Sequence, residues 1–150
     1  NIYCCTGILF NHESPLRSKE FVTKKIIDTA LKIKKDKSII LRLGNVNIYR
    51  DWGWAPDYIK AIWLMMQRNT ARDFIIGSGK THSLKEFVDK VFKYLKISKK
   101  NLKTDVSKYK RKIDIRGYKA NIIETQKILK WKPSVKFNTI IYKMINNELF

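Results

Sequence analysis

A short apolar run near the start of the chain, residues 8–10 (Ile-Leu-Phe), leads directly into four polar residues at 11–14 (Asn-His-Glu-Ser) and then Pro15. Three consecutive apolar residues are typical of a strand buried on both faces, and proline cannot continue a hydrogen-bond ladder. In an open parallel α/β sheet, ligands bind just beyond the carboxyl ends of the strands. The stretch therefore predicts a buried strand with a binding site at its end, although a strand followed by a plain polar turn fits the same residues.

Strand-like and helix-like segments alternate along the rest of the chain. Apolar residues at helical spacing predict helices over 20–34, from about 56, from 84 after a capping box at Ser83 and Glu86, over 121–130, and over 138–147. The second of these helices carries an apolar stripe at Ile59, Ile62, Trp63 and Met66. Strands are predicted at 39–43, at 74–76 and near 106–115, and a polar loop at 46–51. This alternation places the chain in the α/β or α+β class.

The net charge of +19 is the strongest compositional signal. A chain this basic attracts nucleic acid or acidic membranes without sequence preference. The lysines, however, are spread from Lys19 to Lys143 and accompany many Ile and Asn residues, and the runs at 32–37 and 96–103 fall at predicted helix ends and loops. A general drift in composition explains this spread better than one basic patch, so a primary role in nucleic-acid binding is disfavoured and kept as the alternative from another functional class.

No apolar run approaches the roughly 20 residues that span a bilayer, and the chain begins at Asn1 without Met or a leader pattern. We therefore expect a soluble, cytoplasmic fragment of a longer protein, with no membrane partner. Cys4 and Cys5 are adjacent, so on a strand they point to opposite faces and share one metal ion poorly. Because His12 and His82 are the only histidines, we expect no metal site.

Complete catalytic motifs are missing from the sequence. The six glycines form no phosphate-binding loop, no tyrosine is followed four residues later by lysine, and no nucleophile elbow occurs. Guanidinium groups bind phosphate oxygens through paired donors, so Arg50 and Arg111 are candidate diphosphate ligands, with Lys25 a further cation on the first helix. Asp51 could instead hold Arg50 in a structural pair, and in so basic a chain any single cation could simply be solvated.

Several short motifs in this sequence resemble motifs in the C-terminal half of proteins of the GDP-mannose 4,6-dehydratase family, a branch of the extended short-chain dehydrogenases. They are Gly-Ile-Leu-Phe-Asn-His-Glu-Ser-Pro at 7–15, Phe-Val-Thr-Lys-Lys-Ile at 21–26, Leu-Gly-Asn at 43–45, Arg-Asp-Trp-Gly at 50–53, Asp-Tyr at 57–58 and His-Ser-Leu-Lys-Glu-Phe-Val at 82–88. Residues 129–133 read Leu-Lys-Trp-Lys-Pro where the family has Leu-Gly-Trp-Lys-Pro. The likeness covers nearly the whole chain in the same order.

The resemblance implies an α/β, Rossmann-type fold from which most of the Rossmann sheet is missing. Residues 1–18 would form the last part of that sheet and the active-site loop, and residues 19–150 the sugar-nucleotide substrate-binding domain. It further implies an NADP-dependent lyase of GDP-fucose biosynthesis that converts GDP-mannose to GDP-4-keto-6-deoxymannose. The cofactor of such an enzyme supplies the redox chemistry, while the protein orients substrate and transfers protons. The family forms dimers and tetramers, so a homo-oligomer is implied for the full-length protein.

When these motifs are aligned, the family's binding residues correspond to seven positions of this chain. The cofactor contacts are His12 and Arg17, and the substrate contacts are Asn11, Lys25, Arg50, Arg111 and Asp114. The last two come from aligning Arg-Lys-Ile-Asp of this chain with the family's Arg-Pro-x-Glu. The family's catalytic residues all precede Asn1, so no catalytic residue is assigned and this chain alone is expected to be inactive.

This chain also departs from the family pattern. Thr6 replaces an asparagine, Leu16 replaces the first arginine of a pair, and Trp54 replaces a histidine. These changes indicate a divergent member and leave open another nucleotide-sugar epimerase, dehydratase or reductase of the same family.

Overall fold

The computed structural model describes residues 2–107 and 117–149. Its strands are β1 (Gly7–Leu9), β2 (Asn11–Glu13), β3 (Leu41–Leu43), β4 (Tyr49–Trp54), β5 (Phe74–Ile76), β6 (Thr81–Ser83) and β7 (Leu102–Thr104). Its helices are α1 (Val22–Lys35), α2 (Ala55–Met66), α3 (Leu84–Leu95), α4 (Ile123–Leu129) and α5 (Phe137–Asn146), with a 3-10 turn at Lys99–Asn101. Helices alternate with short, mostly parallel strands, which confirms the α/β class.

The strands form three small sheets. Parallel β1 and β5 make the first, with α2 in the connection between them, and parallel β3 and β7 make the third. The second sheet has the order β2-β4-β6, in which β2 is parallel and β6 antiparallel to β4. The polar residues 11–13 are therefore not a loop beyond the first strand, as the sequence suggested. They form a strand of their own and extend the backbone from the first sheet into the second.

The predicted burial of the first strand is wrong. Ile8 and Leu9 expose 49% and 42% of their surfaces. Within the described residues β1 pairs with β5 alone, and the faces of this two-stranded sheet leave these two side chains about half uncovered.

Two apolar clusters form the core. The larger packs α1, α3 and α5 against β3 and β4, and it includes Ile26, Phe87, Val91 and Ile140. The smaller packs α2 against β5 and the segment around Trp131. The larger cluster lies beside β4, and β4 pairs with β2. The core therefore supports the sheet that carries Asn11, His12 and Arg50.

All five helix predictions are confirmed to within a few residues. The hydroxyl of Ser83 accepts a hydrogen bond from the Glu86 N–H at 3.0 Å, as the capping box predicted. The apolar stripe of α2 nevertheless points largely outward, since Ile59, Trp63 and Met66 are each more than half exposed. The face that α2 buries includes Tyr58, Ala61 and Met65.

One loop prediction and one strand prediction also need correction. The loop predicted at 46–51 is wrong at its end, because Arg50 and Asp51 lie within β4. Antiparallel pairing with β6 holds these polar residues extended. The strand predicted near 106–115 is absent at residues 106–107, which form a turn, and its residues 108–115 lie outside the described residues; the strand found nearby, β7, spans Leu102–Thr104.

Three helices end on residues in the left-handed backbone conformation. These are Lys96 after α3, Lys130 after α4 and Asn147 after α5, with φ between 49° and 58°. Glycine is the residue that adopts this conformation at no steric cost, so two lysines occupy positions better suited to glycine.

None of the helices found in residues 2–107 and 117–149 combines the length and the apolar character that crossing a membrane requires. The same residues contain no group of three or more His, Cys, Asp or Glu side chains placed to hold a metal ion.

Candidate functional site

Strand β2 presents Asn11 and His12 next to the middle of β4, where they pair with Trp52 and Gly53. The Nδ1 atom of His12 lies 3.0 Å from the carbonyl oxygen of Phe10. Because a carbonyl oxygen only accepts, Nδ1 is the donor in this contact. The half-buried ring is therefore held in one orientation, with Nε2 as its remaining polar atom.

Tyr58 of α2 lies under β2. Its hydroxyl donates to the carbonyl oxygen of Asn11 at 3.3 Å, and its ring centroid is 5.3 Å from that of His12. Burial raises the pKa of Tyr58 far above its usual value, and the carboxylates of Asp51, Glu13 and Asp57 raise it further. Tyr58 therefore remains a neutral hydrogen-bond donor and supports the strand that bears the predicted contacts.

Gly53 makes room for this tyrosine. A Cβ atom at position 53 would lie 2.6 Å from the Tyr58 hydroxyl oxygen and 2.8 Å from its Cζ, and would also clash with Cε2. We expect Gly53→Ala to lower the free energy of unfolding by about 2 kcal/mol, because the buried ring has to move. Urea denaturation measures this loss. The matched control is Gly7→Ala, whose Cβ would meet no atom closer than 3.6 Å, and an equal loss in both variants would contradict this account.

Glu13, the last residue of β2, is almost completely buried. Its side chain is 1% exposed, and its Oε2 accepts a 2.7 Å hydrogen bond from the hydroxyl of Thr23 on α1. The Nε atom of Arg17 lies 3.6 Å from the same oxygen, and the Arg17 guanidinium carbon sits 3.5 Å from the centre of the Phe21 ring. Arg17 is thereby held between a carboxylate and an aromatic face.

Burial raises the pKa of Glu13 from 4.5 to about 7, although the Thr23 hydroxyl and the Arg17 charge both act to lower it. Desolvation penalises the charged form more than these two partners stabilise it. The carboxyl group consequently changes its charge near neutral pH.

Arg50 lies on β4, the neighbour of β2. Its Nη1 donates to the carbonyl oxygen of Tyr49 at 2.7 Å, and its guanidinium carbon is 4.9 Å from the centre of the Tyr118 ring. Tyr118 in turn meets Phe10 edge to face, at a centroid separation of 5.5 Å. A cation and an exposed aromatic ring therefore stand together at this edge of the sheet.

The remaining predicted contacts are more widely placed. Lys25 lies on the exposed side of α1, and its Nζ donates to the carbonyl oxygen of Arg42 at 3.1 Å. Arg111 and Asp114 lie outside the described residues, so their roles remain predictions. The structure thus places Asn11 and His12 in β2, with their side chains on opposite faces, Arg17 in the following loop against Glu13, and Arg50 on the adjoining strand.

Asp51 serves the backbone and not Arg50. It is completely buried, and its carboxylate accepts hydrogen bonds from the N–H groups of Ser78 at 2.7 Å, Gly79 at 2.9 Å and Ala120 at 3.2 Å. These bonds fasten the turn after β5 and the segment before α4 to the middle of β4. Asp51 therefore fixes the surroundings of Arg50 without pairing with it.

Asp57 does the same at the start of α2. Its carboxylate accepts from the N–H groups of Ser134 and Val135 and from the Ser134 hydroxyl at 2.6 Å, and its carbonyl oxygen accepts from the Trp131 indole at 3.0 Å. The segment after α4 is thereby tied to the helix that carries Tyr58.

Sequence reasoning missed three of the residues that organise this site: Glu13, Thr23 and Tyr58. Alternation along a strand could have placed Glu13 on the face opposite His12. Nothing in the sequence pairs Glu13 with Thr23 or Tyr58 with Asn11, because these contacts depend on how α1 and α2 pack.

Comparison with known proteins identifies the family. The sequence model described as GDP-mannose 4,6 dehydratase matches residues 1–144. GDP-mannose 4,6 dehydratase 1 of Arabidopsis thaliana is 37% identical over 148 residues, which cover 99% of this chain and 41% of that protein. The human GDP-mannose 4,6 dehydratase is 34% identical over an alignment that covers 99% of this chain and 45% of that protein. The chain thus spans less than half the length of these relatives.

Solved structures show the same fold at low sequence identity. RMD from Pseudomonas aeruginosa, complexed with NADPH, superposes with a TM-score of 0.85 at 16% identity, over 95% of this chain and 47% of that one. The dTDP-glucose 4,6-dehydratase of Bacillus anthracis, in complex with NAD, gives 0.81 at 18% identity, over 94% and 43%. Together with the family match and the curated relatives, the conclusion is that this chain belongs to the GDP-mannose 4,6 dehydratase family.

Proposed function

We propose that this chain is the substrate-binding part of an NADP-dependent GDP-mannose 4,6-dehydratase, a lyase that forms GDP-4-keto-6-deoxymannose. Residues 1–18 would complete the nucleotide-binding sheet and the active-site loop, and residues 19–150 would form the sugar-nucleotide domain. The observation that carries this proposal is the polar end of β2. There the backbone of Asn11, the ring of His12 and the guanidinium of Arg17 each have a described partner, in a chain that belongs to this family.

The residues at this end fit a phosphate-bearing dinucleotide. The charge of Glu13, 3.6 Å from Nε, holds the Arg17 guanidinium, whose terminal NH2 groups are donors that suit phosphate oxygens. Nδ1 of His12 is held by the Phe10 carbonyl oxygen, so Nε2 is the ring nitrogen left for a hydroxyl or amide group of the ligand. His12 and Arg17 would hold the cofactor, and the bound nicotinamide supplies hydride transfer. NADP in preference to NAD, cytoplasmic location and homo-oligomerisation are parts of this proposal.

The substrate would lie against β4. Arg50 offers a fork of donors to diphosphate oxygens, and the neighbouring Tyr118 offers an aromatic face. Asn11 and Lys25 would contact the sugar nucleotide from β2 and α1. Arg111 and Asp114 complete the proposed set. In this arrangement the chain binds and orients the nucleotide sugar, and it contributes no proposed catalytic residue.

The test uses the full-length protein, supplied in turn with GDP-mannose, UDP-glucose and dTDP-glucose. We expect dehydration of GDP-mannose alone, followed as the 4-keto-6-deoxy product by mass spectrometry, and no turnover by the 150-residue chain. A preference for a nucleotide other than guanosine would refute the proposed substrate. It would favour the activity of another nucleotide-sugar enzyme with the same fold. Turnover by the isolated chain would refute the division of labour between the two halves.

A further inference from the structure

Three elements meet at the carboxylate of Glu13. The strand β2 supplies Glu13 itself, the following loop supplies Arg17, and the first turns of α1 supply Thr23. Each element also bears residues of the proposed binding set: Asn11 and His12 precede Glu13, and Lys25 follows Thr23 by two positions on α1. One buried side chain therefore touches every element that carries a predicted cofactor or sugar contact on this side of the site.

Holding these elements together with a buried carboxylate costs the free energy of desolvating its charge. An amide of the same shape would also accept the 2.7 Å hydrogen bond from Thr23, without the cost of desolvating a charge. What an amide does not provide is attraction for the guanidinium of Arg17, whose Nε faces the same oxygen at 3.6 Å. The acid is therefore explained by Arg17 and not by the packing of α1.

We propose that Glu13 is a positioning residue, whose negative charge holds the Arg17 guanidinium by its Nε edge while Thr23 ties the same carboxylate to α1. The inference rests on the proposed function, in which Arg17 binds the phosphate-bearing cofactor. Nε is the guanidinium nitrogen nearest the side-chain stem, so attachment there leaves the two terminal NH2 groups for a ligand. Phe21, beneath the guanidinium, restricts its tilt.

The charge state of Glu13 links this geometry to pH. Arg17 from the loop is the cation that faces its carboxylate, Thr23 faces it from α1, and Tyr58 of α2 lies close enough for the Glu13 charge to raise the tyrosine pKa. Tyr58 stays neutral throughout the physiological range, and Arg17 stays charged. Protonation of Glu13, with its pKa of about 7, is consequently the step that releases Arg17.

The direct test is nuclear magnetic resonance of the Arg17 Nε–H group in the full-length protein between pH 5.5 and 8.5. We expect its chemical shift to titrate with a midpoint near 7 in the wild-type chain and to be flat in Glu13→Gln. Glu20→Gln is the matched control, because it removes one negative charge from an exposed position in the same loop and should leave the titration unchanged. An Arg17 signal that does not titrate in the wild-type chain overturns the proposal.

The functional test measures the dissociation constant of NADP+ for the full-length protein at pH 8. We expect Glu13→Gln to weaken binding roughly tenfold, the equivalent of one displaced charge-assisted contact, while its melting temperature rises above that of the wild type. Glu20→Gln should change neither. Weaker binding with a lower melting temperature would show a merely structural role and overturn the inference. If the wild type binds no NADP+, the proposed function fails, and the Arg17 titration alone decides whether Glu13 positions the guanidinium.

Discussion

Replacing Asp51 with alanine is expected to lower the free energy of unfolding by roughly 4 kcal/mol, because three backbone N–H groups would lose their acceptor at once. The carboxylate is completely buried, and the donors, at Ser78, Gly79 and Ala120, come from two segments that no other described side chain fastens to β4 in this way. Urea or thermal denaturation of the variant measures the loss.

The control for this experiment is Asp73→Ala, which removes the same carboxylate from an exposed position just before β5. Its effect should stay within about 0.5 kcal/mol. A loss below about 1 kcal/mol in Asp51→Ala would mean that water or a rearranged turn satisfies the three donors, and would remove Asp51 as the fastening point of the site.

The second large effect concerns pH. Glu13 has a pKa of about 7 in the folded chain, against 4.5 for the exposed group in the unfolded chain. The unfolded chain therefore loses this proton first as the pH rises, so the contribution of Glu13 to stability falls between about pH 4.5 and 7. The loss is complete above that range and amounts to about 3 kcal/mol.

Comparison with Glu13→Gln isolates this contribution from those of other titrating groups. The difference in unfolding free energy between wild type and variant should grow in favour of the variant from pH 4.5 to 7 and then stay constant. Chemical denaturation at a series of pH values measures it, with Glu20→Gln as the control for net charge. A difference that does not change with pH would show that Glu13 has an ordinary pKa in the folded chain.

The helices of this chain could be predicted from sequence because their signals are local. The apolar spacing of α1 and the capping box at Ser83 and Glu86 each lie within a single helical turn or its repeats, and the structure confirms both. The orientation of α2 is not a local property. Its more apolar face, with Ile59 and Trp63, is exposed, while Tyr58 is buried against β2.

The strands were harder for a physical reason. Residues 11–13 and 49–51 are polar, which is typical of loops, yet both are strands. Residues 11–13 pair with the second half of β4, and residues 49–51, its first half, pair with β6. Asp51 can occupy the middle of β4 only because backbone donors from residues distant in sequence satisfy it. Such long-range compensation leaves no pattern in the nearby sequence.

The candidate site was predicted through resemblance more than through chemistry. Five site residues were assigned by alignment with family motifs: Asn11, His12, Arg17, Lys25 and Arg50. The structure shows where these residues lie without testing what they bind. Glu13 belongs to the motif at residues 7–15, but its burial and its contact with Arg17 arise only when the loop folds over β2. Arg111 and Asp114 stay predictions.

The left-handed backbone at Lys130 bears on the history of this chain. With φ at 49°, this backbone conformation costs any residue other than glycine about 1 kcal/mol of conformational free energy. The family motif that residues 129–133 resemble has glycine at this position. A lysine that occupies a strained position marks a substitution that the fold tolerates and does not need. The general drift in composition toward Lys, Ile and Asn accounts for such a residue, and by extension for part of the +19 charge, without any anionic ligand.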